Sequence, residues 1–296
     1  MDRAVSSSVE GSSHAVEKAS ALSKPIYDIS PSSLHVFRFD ELWQYRHLAA
    51  LLAWRHIKSR YKQTMLGLLW AVIVPIAYTL IFVIFFGLVG VHPAGELPYV
   101  PSTFAAMTVW QLFARGVSEG ATSLTANASL ISKVYFPRII LPLAAILSAL
   151  FDVAISLVIL AGVLFWFQVP LQPAMMFAPV FVLQTALIVF AFSLWLSAID
   201  GMYRDLRHAL PLLLQLGLFI SPVAYTTSAL IPEQWAWLYE CNPLVAPIEG
   251  IRWALLQGAP AVNLAALVKS LSITGVLMVT GLLFFARMER TIVDRV

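Results

Sequence analysis

The sequence predicts an all-α polytopic membrane protein: six transmembrane helices, an N-terminal amphipathic interface helix before them, and two short outer re-entrant or interfacial helices before the last. Three observations carry this. Of 296 residues, 59% are hydrophobic and only 12% charged, with a mean hydropathy of +0.81, outside the range of a soluble domain. The apolar residues gather in runs near the roughly 20 that a bilayer crossing requires. The basic residues flank those runs and fall mostly on one side of them, as the positive-inside rule demands of a cytoplasmic face. The formal net charge of +3 is too small to point to nucleic acid, and these charges sit where they favour the headgroups of a cytoplasmic leaflet. Cys241 is the only cysteine, so no intrachain disulfide or cysteine-based metal cluster can form.

Taken in order, residues 1–35 are rich in Ser, Ala and Val without an apolar face, and are expected to be a disordered tail. No charged n-region followed by an apolar h-region appears within them, so no signal peptide is expected. Residues 36–64 form the interface helix, with Asp40 as its N-cap and Thr64 near its end. At 100° per residue, Trp43, His47, Ala50, Trp54, Ile57 and Tyr61 share one face, and Glu41, Arg55, His56, Ser59, Arg60 and Lys62 the other. Such a helix suits the plane of the membrane surface. Leu48 and Leu52 fall on its polar side, where they are expected to pack against protein.

The junction Arg60–Pro75 leads from water into lipid: the positive charges end at Lys62, and Trp70 follows at headgroup depth. The six-span domain then occupies residues 65–296, with spans placed at 68–91, 100–122, 139–167, 176–198, 208–225 and 263–286. Arg115 and Glu119 interrupt the second, and the fifth is short and holds Pro211 and Pro222. With both termini inside, Lys133, Arg138, Arg204, Arg207, Arg287, Arg290 and Arg295 join the N-terminal charges on the cytoplasmic side, and only Arg252 and Lys269 fall on or near the outer side. Residues 126–138 form a cytoplasmic segment in which Asn127 can cap a short helix, Leu130, Ile131 and Val134 give it an apolar face, and Pro137 stops it. Residues 226–262 are too apolar for a loop. Pro232 and Pro243 suit first helical positions, Asn242 an N-cap and Gly258 a stop, giving two helices shorter than a crossing.

No Walker A loop occurs, so ATP, if it drives this protein, is bound with Mg2+ by another polypeptide. No motif for a catalytic centre, metal site or cofactor appears in the chain either. The intramembrane ionisable residues Arg115, Glu119 and Asp152 are functional candidates by their depth. Arg115 and Glu119, four apart, can pair with each other. Asp152 can serve as a proton relay, or pair with a basic or hydroxyl neighbour to fix helix packing. Asp200, Arg204 and Asp205 are the one compact group of acids and bases at an interface.

The Arg60–Pro75 junction, Asn127–Arg138 with its Lys-Val-Tyr-Phe-Pro-Arg end, Tyr203-Arg204-Asp205, Ser221-Pro222-Val223-x-Tyr225 and Asn242-Pro243 together resemble the membrane subunit of polysaccharide-exporting ABC-2 transporters. The resemblance runs from about residue 40 to the C-terminus. It implies export of a lipid-linked glycan, such as O-antigen, capsule or teichoic acid, across the bacterial inner membrane. It also implies a homodimer, and a separate ATPase dimer docked on the cytoplasmic coupling helix at 126–138, with Asn127, Leu130, Ile131, Lys133, Tyr135 and Arg138 as docking residues. The two outer helices become an extracytoplasmic gate.

Within that resemblance the aromatic content acquires a use, since sugar rings stack apolar faces on aromatics. Tyr78, Phe82 and Phe85 share one helical face, and with Phe219 and Tyr225 they are the channel-lining candidates. The same rings can equally face lipid or a neighbouring helix. Two other readings compete: a proton-coupled carrier or flippase that works without an ATPase and uses Asp152, and a transferase acting on lipid-linked sugars through Asp200, Arg204 and Asp205.

Overall fold

The computed structural model describes residues 39–62, Gly67, 69–89, Gly95 and 97–293. The predicted tail at 1–35 and Gln63–Leu66 of the predicted junction lie outside the described residues. Every regular element among the described residues is helical. Among the described residues, four helices are long and apolar enough to cross a membrane: Leu69–Leu88, Ile140–Trp166, Pro173–Met202 and Leu264–Met288. The protein is thus an all-α polytopic membrane protein.

The expected single interface helix is two. α1 (Phe39–Gln44) starts before Asp40, which therefore lies inside it, and breaks at Tyr45 before α2 (Arg46–Lys62) begins. Arg46 closes the break by donating Nη1 to the Trp43 carbonyl at 2.9 Å. The expected apolar face also divides. Ala49, Leu52, Ala53 and Ile57 are buried and follow the i, i+3, i+4 spacing of one stripe, the first three packed in the cluster that holds Phe136, Ile140 and Leu141. Trp43, Leu51 and Trp54 are exposed on the other side. Leu52 is 4% exposed, so it packs on protein as its position off the apolar face suggested.

α3 (Leu69–Val89) leads to α4 (Tyr99–Ala121), the centre of the bundle, which packs on α7 (Ile140–Trp166) and α8 (Ala178–Met202). α4 is long enough to cross a bilayer but too polar to read as a lipid-facing span; most of its residues are buried by protein instead. Its Gly116 and Gly120 let the neighbouring backbones approach closely. A Cβ at Gly120 would collide with Ser193 of α8, and one at Gly116 would meet Val189.

The short α5 (Ser123–Ala126) and α6 (Ala128–Ile131) follow α4, and α9 (Leu206–Ile220) follows α8. α10 (Thr227–Leu230), α11 (Glu233–Tyr239) and α12 (Val245–Leu255) occupy the predicted outer segment, and α13 (Leu264–Val293) closes the chain. α12 begins one residue after Leu244 rather than at Pro243, with Asn242 Oδ1 accepting the Leu244 N–H at 3.0 Å. It does not lie on a surface: it is buried against α4 and α8. α12 ends at Leu255, so Gly258, at φ +87°, turns the chain after the helix rather than stopping it.

Candidate functional site

Along α4, Met107, Trp110, Gln111, Ala114, Arg115, Ser118 and Glu119 recur at three- and four-residue spacings and so share one face. They form the floor of a groove of about 890 Å³, walled by Tyr78, Phe82, Phe85 and Phe86 of α3 and by Pro211, Gln215, Leu218 and Phe219 of α9. The floor runs about 18 Å at a rise of 1.5 Å per residue. Tyr225 and Ala224 border the groove as well.

All five channel-lining candidates therefore meet in one groove. Tyr78, Phe85 and Phe219 are 42%, 57% and 61% exposed, whereas Phe82 is buried with its ring edge-on to Phe219 at 6.4 Å. Tyr225 is buried too, its hydroxyl 2.9 Å from that of Tyr239 and 3.1 Å from the Phe219 carbonyl. Polarity changes along the floor, from Met107 and Trp110 among the rings to Arg115, Ser118 and Glu119 at the other end.

The charged end of this groove is where the structure departs most from expectation. Arg115 and Glu119 were expected to pair with each other; instead Arg115 Nη1 donates to Asp152 Oδ2 at 2.6 Å, and Glu119 accepts from Arg60 Nη2 of α2. Arg60 also donates Nη1 to the same Asp152 oxygen, and the Tyr61 hydroxyl donates to the other. Asp152 thus has both basic and hydroxyl partners, drawn from α2 and α4. Arg60, read from the sequence as a polar-face charge, continues the buried stripe three residues after Ile57, a spacing that marks it as inward-facing. His56, half-buried beside it, is held below its ordinary pKa by burial first and then by Arg55 and Arg60. Its ring is neutral at pH 7 and adds no charge to the group.

The 126–138 segment also differs from expectation. Asn127 does not cap α6 with its side chain. Its amide donates to the Ser123 carbonyl at 2.8 Å and its Oδ1 accepts from Arg55 Nη2 of α2, while its backbone carbonyl takes the Leu130 and Ile131 N–H groups at 2.9 and 3.0 Å. α6 stops at Ile131, well before Pro137. Leu130 and Ile131 turn partly inward onto the cluster around Phe136, and Arg138 is half-buried. Lys133, Val134 and Tyr135 are exposed, Tyr135 at 85%. Docking residues picked from the sequence therefore divide into a packed set and a presented set.

Asp200, Arg204 and Asp205 do not assemble into an acid–base site. Asp200 is buried and takes a bidentate pair from Arg207, at 2.8 and 3.1 Å, plus the Thr125 hydroxyl at 2.5 Å; Arg204 and Asp205 are exposed. A second buried network, invisible in the sequence, surrounds Arg252. Its guanidinium reaches the Val223 carbonyl at 2.8 Å, the Ser102 carbonyl at 3.4 Å and Glu249 at 3.4 Å. Glu249 in turn accepts the Thr227 N–H and hydroxyl at 2.8 and 2.9 Å. Arg252 is thus no flanking surface charge.

Comparison with known proteins identifies the family. The ABC-2 type transporter family matches residues 47–256. An O-antigen export system permease protein RfbA of Myxococcus xanthus is 31% identical over 209 residues, which is 70% of this chain and 79% of that one. Proteins of the same name from Klebsiella pneumoniae are 27% and 26% identical over 247 residues, covering 82% of this chain and 92% of theirs. A family match over most of the sequence, on a helical bundle with membrane-length apolar helices, places this chain in the ABC-2 type transporter family, as a membrane-embedded permease component.

Proposed function

We propose that the chain is the transmembrane subunit of an ATP-driven exporter of lipid-linked polysaccharide, and that the groove along α4 is part of the glycan path. The observation that carries this is the meeting of Tyr78, Phe82, Phe85, Phe219 and Tyr225, drawn from α3, α9 and the segment after it, around one groove. Aromatic faces bind pyranose C–H faces without gripping any one sugar, so such a wall passes a polymer. The relatives, named as O-antigen export permeases, support an O-antigen-like cargo. Replacing Tyr78, Phe85 and Phe219 together by Ala is expected to lower export per assembled complex severalfold, with assembly and ATP hydrolysis retained. Unchanged export per complex would remove the groove from the path.

ATP and Mg2+ belong to a separate ATPase dimer, and the permease works as a homodimer in the bacterial inner membrane. Exposed apolar residues of α9, Leu212, Leu213 and Leu216, support a face that meets lipid or a second copy. The ATPase docks on Lys133, Val134 and Tyr135, which are the presented part of the 126–138 segment. Aromatic anchors at interfaces contribute about 2 kcal/mol or more each, so Val134→Asp with Tyr135→Asp should abolish copurification of the ATPase while the permease still inserts. Copurification at the wild-type level would move the docking site elsewhere.

Both termini are cytoplasmic and Cys241, exposed beyond α11, faces outward. An impermeant thiol reagent applied to spheroplasts should label Cys241, and a tag after Val296 should resist external protease. Digestion of that tag from outside would overturn the six-span topology.

A further inference from the structure

The long-range polar contacts of α2 go to two different places. Arg55 holds Asn127 at the start of the coupling segment, and Arg60 holds Glu119 and Asp152 behind the groove. Both arginines lie on one unbroken helix, about 7.5 Å apart along its axis, so a shift of α2 moves both contacts together.

At the groove, Arg60 decides the charge. Glu119 and Arg115 lie on the floor, and Arg115 shares Asp152 Oδ2 with Arg60. With Arg60 in place, two cations face two anions. Without it, Arg115 alone faces both carboxylates, and Glu119 loses the partner of its Oε1 while its Oε2 already has none. An acid stripped of its cation in a part-buried site draws in water or a cation.

We propose that Arg60 is a positioning residue through which the placement of α2 sets the charge balance at the polar end of the groove: two cations on two carboxylates when α2 is seated, one cation short when it withdraws. The consequence for transport rests on the groove being the glycan path; the contact itself does not.

The test uses the full chain carrying Cys241→Ser, with nitroxide labels at Ser59→Cys and Ser118→Cys. Both are exposed neighbours of the contact. The protein is reconstituted in nanodiscs with unlabelled chain in excess, so that single chains are read. The unaltered contact should give one narrow distance. Arg60→Gln should lengthen it by about 5 Å, one helical turn, and Arg60→Lys, which keeps a cation facing Glu119 and Asp152, should hold the narrow distance. A loss that came only from altered packing at position 60 would appear in both variants. An unchanged distribution in Arg60→Gln overturns the proposal. Should Arg60→Gln fail to fold, Glu119→Gln, which preserves shape and the Arg60–Asp152 pair, is measured instead; it should broaden the distribution, and a distribution identical to wild type overturns the proposal. Export measured on the unlabelled Arg60→Gln chain separates the two readings: a lengthened distance with export intact upholds the Arg60 contact and rejects the groove as the path.

Discussion

Asp152→Ala should cause one of the largest losses of folded protein available from a single substitution. Its carboxylate is the shared acceptor for Arg60, Arg115 and Tyr61, and its side chain is only 10% exposed. Removing it leaves Arg115 without its anion inside the bundle, and removing one partner of a buried pair costs about 3–5 kcal/mol. Arg60 keeps Glu119, so the loss centres on Arg115. Asp152→Ala combined with Arg115→Met should therefore regain much of the loss, because the stranded cation goes with its partner. Thermal unfolding of the detergent-solubilised protein checks the series: a single variant with wild-type stability, or a double variant no better than the single, would refute the ion-pair account. The same site tests the carrier reading. A proton relay predicts that Asp152→Asn folds normally and stops transport, whereas a packing role predicts reduced folded protein and residual transport in proportion to it.

The second large effect is expected at Arg252, which is 1% exposed. It joins α12 to the Val223 carbonyl in the Ser221–Thr226 segment and to the Ser102 carbonyl at the start of α4. Arg252→Met fills the volume but leaves Glu249 without its cation and a buried carbonyl without its donor, for a loss of about 3–5 kcal/mol. Glu249→Gln on the same chain should restore part of this, since a neutral amide can still accept from Thr227. Tryptic sensitivity of the α10–α12 region and the unfolding midpoint report the outcome. An Arg252→Met chain as stable and as protease-resistant as wild type would show that the network contributes nothing to holding these helices together.

How far the sequence reaches can be seen residue by residue. Tyr78, Phe82 and Phe85 are close in sequence, so helical periodicity alone puts them on one face, and that face borders the groove. Phe219 and Tyr225 come from more than 130 residues away, and no periodicity links them to α3; they were singled out through the family resemblance. The pairing of Arg115 with Glu119 failed because an i,i+4 rule sees only its own helix, while Asp152 and Arg60 offered partners across helices. Leu130 and Ile131 were read as docking residues because an apolar face on a short segment looks the same whether a partner chain or Phe136 covers it.

The sequence by itself determined the all-helical, membrane-embedded class, because hydropathy and periodicity are local sums over neighbouring residues that survive any tertiary arrangement. It determined the family as well, through motifs whose order is written in the chain. Only the tertiary structure decided which of the polar residues face one another. Arg60, Arg252 and Asp200 carry side chains that read equally well as surface charges, and burial in a low-dielectric bundle forces each to find a counter-charge or carbonyl wherever the fold brings one within about 3 Å. That choice is made by the crossing of α2 over α7, and of α12 over α4, and nothing local in the chain encodes either.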